Sequence, residues 1–181
     1  VTVHFEASDE LSGIDTITPD ITLSTEGANQ SATGTAVDMA GNEASYTVSG
    51  INIDKTPPII SGAPTTLPNV YGWYKADVIV NFTATDTLSG IDTITPNYVV
   101  TSEGANQSVL GTAVDLAGNE ASYTVTGINI DKTPPIITGA ATSSPNVYGW
   151  YKTDVVVNFT ASDALSGLDT VTPNQTLTTE G

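Results

Sequence analysis

The chain repeats itself every 77 residues without a gap. Val1-Thr2-Val3-His4-Phe5 returns as Val78-Ile79-Val80-Asn81-Phe82 and again as Val155-Val156-Val157-Asn158-Phe159. Asn52-Ile53-Asp54-Lys55-Thr56-Pro57-Pro58 returns as Asn129-Ile130-Asp131-Lys132-Thr133-Pro134-Pro135. Of the first 54 residues, 39 are identical one period later, so each copy must fold in the same way. An array this uniform is built for length or valency. A single catalytic site would need no duplication, so the reading is that the chain is not an enzyme.

Lys55-Thr56-Pro57-Pro58 punctuates the period. Two prolines fix φ and favour an extended, semi-rigid segment. Boundaries at this signal give a partial repeat 1–54, a complete repeat 55–131 and a partial repeat 132–181. The first is expected to lack its first strand and the third its last strands. Cuts inside repeats at both ends predict a window out of a longer array.

Strand signals fill each period. Asp77 to Asp86 alternates, with Val78, Val80, Phe82 and Ala84 on one face. The other face changes freely between copies, as a wet face does: Thr2, His4 and Glu6 become Ile79, Asn81 and Thr83. Further strands are expected at 58–62, 91–95, 98–101, 109–114 and 123–130. Turn residues separate them: Leu88-Ser89-Gly90, Thr95-Pro96-Asn97, Glu103-Gly104 and Ala117-Gly118-Asn119. No stretch has a sustained helical period. Six or seven short strands at this spacing predict an all-β fold of tandem Greek-key sandwiches joined by short Pro-Pro linkers.

Charge excludes several partners. The chain carries 20 acidic residues against 4 lysines and no arginine. Such a surface repels nucleic-acid phosphates and anionic lipid heads and attracts cations. No apolar run approaches the roughly 20 residues of a membrane span, so no membrane insertion is expected in this segment. Cysteine is absent, so disulfides do not staple the repeat.

Several motifs keep their order and spacing in the copies that contain them. They are Gly72-Trp73-Tyr74, Thr85-Asp86 with Ser89-Gly90-Ile91, Asp115-Leu116-Ala117-Gly118-Asn119, and Asp131-Lys132-Thr133-Pro134-Pro135. On these residues the whole chain resembles the bacterial immunoglobulin-like repeats of large cell-surface adhesins. The resemblance implies an immunoglobulin-like sandwich, an extracellular or cell-surface location and a stalk or adhesive role. Some members of that family bind calcium at interdomain junctions in the manner of cadherins.

The topology of such a sandwich brings the second-to-third strand loop and the loop between the last two strands to one end, where the linker enters. Asp86 and Asp92 flank the first loop, and Asp115 and Asn119 the second. Asp54 arrives with the linker. The expected metal cluster at junction one is Asp54, Asp86, Asp92, Asp115 and Asn119. Junction two is expected to repeat it with Asp131, Asp163 and Asp169. Converging carboxylates either take up protons or hold a cation. Hard oxygen donors without histidine or cysteine suit calcium best. The competing reading is turn chemistry: Asp before Ser-Gly or Ala-Gly-Asn bonds its own backbone.

Other residues carry less chemistry. Trp73 and Trp150 are expected to plug one end of a small core, with sugar stacking as the alternative. His4 is the only histidine and is replaced by Asn81 and Asn158, so it supports no repeated site. Asn29, Asn81, Asn106, Asn158 and Asn174 match the glycan acceptor pattern and are expected to be exposed. Lys75 and Lys152 flank an aromatic turn rather than a core, which argues against an isopeptide bond to asparagine. The leading expectation is a structural repeat forming an extended surface stalk or secreted filament, with calcium at the junctions. Its partners would be other copies of the array, pairing through strand edges that lysine hardly guards. The alternative is an adhesive module gripping a glycan or a partner protein on a host or neighbouring cell surface.

Overall fold

The computed structural model describes residues 1–179 and is all-β; among them there is no helix. Repeat one forms β1 (Thr2–Val3), β2 (Ile14–Ile17), β3 (Ile21–Thr22), β4 (Gly27–Asp38) and β5 (Glu43–Ile53). Repeat two forms β6 (Ile59–Pro64), β7 (Trp73–Tyr74), β8 (Val78–Thr85), β9 (Ile91–Ile94), β10 (Tyr98–Val100), β11 (Gly104–Asp115) and β12 (Glu120–Ile130). Repeat three forms β13 (Ile136–Ala141), β14 (Val155–Ser162) and β15 (Gln175–Leu177).

The strands build a small set of sheets in a sandwich-like arrangement. Repeat two pairs β10-β8-β6 in one sheet and β7-β12-β11-β9 in another. Repeat one has the counterparts β1-β3 and β2-β4-β5, and repeat three has β13-β14-β15. The alternation read in the sequence is present: Val78, Val80 and Phe82 are buried along β8, while Ile79, Asn81 and Thr83 are exposed. β11 and β12 start earlier than expected, because polar Gly104-Ala105-Asn106 and Glu120-Ala121-Ser122 pair as strand despite their composition. β7 was not expected at all. Its two residues pair parallel with the end of β12, Trp73 opposite Asn129 and Tyr74 opposite Ile130.

The chain forms two compact units that do not follow the 77-residue period. One takes Val1–Gly62, Phe82–Pro96 and Leu110–Tyr123. Its core holds Val3, Ala32, Ile53, Ile60, Phe82 and Ala113. Here each phenylalanine lies on a glycine: a Cβ at Gly111 would fall 2.4 Å from the Phe82 ring, and one at Gly34 would fall 2.4 Å from the Phe5 ring. The other takes Ala63–Asn81, Asn97–Val109 and the described residues from Thr124 on. Its core holds Val78, Val80, Val100, Val109, Val125, Ile128 and Ile130. The middle repeat supplies residues to each.

The tryptophans differ from expectation. Trp73 is half-buried, its strand backed by β12, whereas Trp150 is 70% exposed and plugs nothing.

Candidate metal centre

The site is built from two turns and one linker residue. After β8 the chain reverses at Asp86, whose Oδ1 accepts the backbone N–H of Leu88 (3.0 Å) and Gly90 (2.7 Å) and the Ser89 hydroxyl (3.4 Å). Gly90 has φ +84°, a conformation that costs glycine nothing. The β11–β12 turn is built in the same manner. Asp115 Oδ1 accepts the N–H of Ala117 (2.9 Å) and Asn119 (2.8 Å), and Oδ2 accepts the Asn119 side-chain amide at 2.8 Å. Leu116 N–H donates to the Gly90 carbonyl at 2.9 Å and ties the two turns together.

Asp54 follows β5 and enters this pair of turns. Its Oδ2 accepts the Ser89 N–H at 2.9 Å, its Oδ1 the Thr56 N–H at 3.1 Å, and its carbonyl the Asn119 side-chain amide at 3.3 Å. Carboxylate oxygens of Asp54, Asp86 and Asp115 all lie within 4.8 Å of one another. Asp115 is 1% exposed and Asp54 and Asp86 are half-buried.

Electrostatics favour the ionised forms. Burial alone would raise the Asp115 pKa, and the Asp54 charge adds to that, but bonds from the Asn119 side chain, the Asn119 N–H and the Ala117 N–H outweigh both. The net shift is downward. Asp54 is also held below the usual carboxylate range, first by the Ser89 hydroxyl and then by the Thr56 N–H. Two depressed carboxylates and a third within 4.8 Å concentrate negative charge that a cation would relieve.

Of the eight residues expected to form the two clusters, the structure brings Asp54, Asp86 and Asp115 together with Asn119 beside them. The Asn119 side-chain amide donates to the Asp54 carbonyl and to Asp115 Oδ2. Asp92 stands outside the group. Ile91 pairs with Asp115 and Thr93 with Val114, so Asp92 is the extra residue of a β-bulge and is exposed. A bulge shifts register by one residue, and composition gives no sign of it.

Junction two repeats part of this geometry. Asp131 Oδ2 accepts the Ser166 N–H at 3.0 Å, and its Oδ1 accepts the Thr133 N–H at 3.0 Å. Asp163 Oδ1 accepts from Leu165 (3.1 Å), Gly167 (2.7 Å) and the Ser166 hydroxyl (3.3 Å). Asp131 is 9% exposed, and the Ser166 hydroxyl and N–H hold its pKa down. Asp169 is exposed and accepts the Tyr71 hydroxyl at 2.6 Å instead of joining Asp131.

The donor set fits a hard cation. It offers three carboxylates, and Asp86 Oδ2 accepts no hydrogen bond among the described residues. The turn reading is equally visible, since the N–H groups already satisfy one oxygen of each turn aspartate.

One further clamp carries no local signal in the residue pattern. Glu103 Oε1 accepts the Lys132 N–H at 2.6 Å, and its carboxylate accepts the Thr133 hydroxyl at 3.2 and 3.0 Å. Lys132 Nζ reaches Asp77 and the Thr101 carbonyl (2.6 Å). Glu26 holds Lys55 and Thr56 in the same way. All five asparagines of the glycan acceptor pattern are exposed, as expected. His4 is exposed and bonded to Asp20 at 2.6 Å. No helix among the described residues is long and apolar enough to cross a membrane. No protein-family model, curated protein or solved structure matches the chain.

Proposed function

We propose that the chain is the structural repeat region of an extracellular surface protein. Tandem immunoglobulin-like sandwiches, joined by short Pro-Pro linkers, form an extended stalk or filament with calcium at the junctions. One observation carries this reading: the same tie occurs at two successive junctions. The aspartate ending one repeat accepts the serine N–H of the next, Asp54 from Ser89 at 2.9 Å and Asp131 from Ser166 at 3.0 Å. A joint built identically at each period lets one geometry propagate along an array.

Bound calcium would neutralise the Asp54, Asp86 and Asp115 carboxylates and hold the linker against both turns. The protein's own part is to position these oxygens, which the Leu88, Gly90, Ala117 and Asn119 N–H groups do.

Small-angle scattering on three intact repeats tests the stalk. A sandwich of strands about ten residues long, at about 3.3 Å per residue, adds roughly 35 Å per repeat to an elongated particle. A compact globule would end the reading. A melting scan tests the ion: calcium at about 10⁻³ M raises Tm, chelator reverses the rise, and Asp86→Asn abolishes it. A scan that moves by less than a degree or two leaves turn chemistry alone.

An adhesive module is the second reading, and the tyrosine of the aromatic turn, exposed in both copies (Tyr71 64%, Tyr148 84%), favours it. Flat aromatic faces of this kind are available for stacking on a sugar ring. Quenching of tryptophan fluorescence by oligosaccharides would support it.

A further inference from the structure

The Asn-Val-Tyr-Gly-Trp turn is more elaborate than a connection requires. Asn69 Oδ1 accepts the N–H of Tyr71 (3.0 Å) and of Trp73 (2.9 Å). Asn69 N–H bonds the Trp73 carbonyl at 2.9 Å, and Gly72 N–H bonds the Asn69 carbonyl at 3.0 Å. Gly72 has φ +83°, and its carbonyl accepts the Asn129 side-chain amide at 3.1 Å, which fixes the turn to β12. Repeat three rebuilds the turn on Asn146, with bonds to Tyr148 (3.0 Å) and Trp150 (2.9 Å). All this order presents a tyrosine that is 64% exposed. Burial therefore does not account for the turn.

The tyrosine has a partner. Tyr71 donates its hydroxyl to Asp169 Oδ1 at 2.6 Å, across 98 residues of sequence. Asp169 is the counterpart of Asp92 and Asp15, one and two periods earlier. In repeats one and two that residue is the bulged position, Asp15 between Ile14 and Thr16 and Asp92 between Ile91 and Thr93. A bulge turns a side chain out of the ladder without giving it a partner in its own sheet. Asp92 is exposed and accepts no tyrosine among the described residues.

In repeat three the same position lies in a loop outside any strand. We propose that the aromatic turn of each repeat is a latch for the following repeat of the same chain, its tyrosine hydroxyl closing on the aspartate at the position of Asp169. This rests on the tandem-repeat reading and is independent of any bound ion. It gives that aspartate a use that metal ligation does not supply. The joint would then be held on two sides: by the linker aspartate on the serine N–H, and by the tyrosine on this aspartate. A phenol donating to a carboxylate is a charge-assisted bond, short at 2.6 Å and sensitive to loss of either partner.

The bond raises the pH at which the Tyr71 phenol ionises, because the phenolate would lose the hydrogen bond and face the Asp169 charge. The test is a pH titration of this chain with its tyrosines labelled at the ring carbon bearing oxygen, read by NMR, with Tyr71→Phe to assign the signal. Asp169→Asn is expected to move the Tyr71 midpoint to lower pH. Asp92→Asn is expected to leave it unchanged. A midpoint that stays put in Asp169→Asn overturns the latch, as does an equal shift in both variants. Should Asp169→Asn disturb the loop, Asp169→Glu keeps the charge but lengthens the reach, and a midpoint shift there confirms the contact; no shift in either variant overturns it. Scattering from a compact particle would sink the stalk and leave this titration unaffected, so the two failures are distinguishable.

Discussion

The turns of repeats one and two carry almost the same residues and differ in one neighbour. Asp9 Oδ1 accepts Leu11 (3.0 Å), Ser12 (2.7 Å) and Gly13 (2.8 Å). Its counterpart Asp86 keeps Leu88 and Gly90 but gives up the serine N–H, which goes to Asp54. Asp38 bonds Ala40, Asn42 and the Asn42 amide at 2.9, 2.8 and 2.7 Å, nearly the lengths found around Asp115. Yet Asp38 is half-buried, whereas Asp115 is 1% exposed. In each repeat one backbone bond ties the two turns, Met39 N–H to the Gly13 carbonyl at 3.1 Å and Leu116 N–H to the Gly90 carbonyl at 2.9 Å. In repeat two the linker aspartate adds a third carboxylate to that tied pair. Turn chemistry explains Asp86 and Asp115; it does not explain why Asp54 is placed against them.

The largest test of this contrast lies under the turns. Gly111→Ala drives a Cβ into the Phe82 ring, which is 5% exposed and has nowhere to go, and is expected to cost on the order of 1–3 kcal/mol in chemical denaturation. Gly34→Ala makes the same clash with Phe5, whose ring is half-buried and can swing out, so the loss should be smaller. Equal losses would mean that the two repeats are packed alike and that the contrast is confined to their surface.

Next, Asp54→Ala should turn the second loop into a copy of the first. The Ser89 amide is expected to fall back on Asp86, its hydrogen exchange approaching that of Ser12, with a Tm lower by a few degrees. Unchanged protection at Ser89 would show that the linker aspartate is incidental. Asp54→Asn keeps an acceptor and should retain most of the protection while losing any response to calcium.

Acid gives a smaller, graded effect. Asp54, Asp115 and Asp131 all have depressed pKa values in the folded chain. Each therefore contributes stability that is fully present above the unfolded value of about 3.9 and is lost as pH falls through the folded value. Urea midpoints measured from neutral pH down to strong acid should drop in that window, and by less in Asp54→Asn. The smallest effect belongs to His4, raised by its bond to Asp20. Its contribution is present below about 6.5 and fades as pH rises through the folded value. His4→Gln should move Tm by less than about a degree, as exposed pairs do.

The sequence carried the β-class and the faces of β8 because period-two alternation is local. Val78, Val80 and Phe82 announce their side of the sheet without reference to any other strand. Asp54, Asp86 and Asp115 were legible through topology, since linker and loops meet at one end of a Greek key. Two features were not legible. β7 is two residues long and pairs in parallel with a strand more than fifty residues away, so no period marks it. The same topology points to Asp92 and Asp169, but a one-residue bulge and a tyrosine from the preceding repeat decide where their carboxylates go.

The clamp on the linker has a mechanical consequence. Glu26 grips Lys55 and Thr56, and Glu103 grips Lys132 and Thr133, so half of each Lys-Thr-Pro-Pro segment already belongs to the repeat behind it. Past each clamp stand two prolines, which in the polyproline form span about 6 Å, beside the Asp54–Ser89 and Asp131–Ser166 ties. A chain pulled from its ends would find almost no slack at the linkers. In the stalk proposed above, tension would then pass into the charge-assisted bonds at each clamp, as in a tie rod rather than an elastic cord.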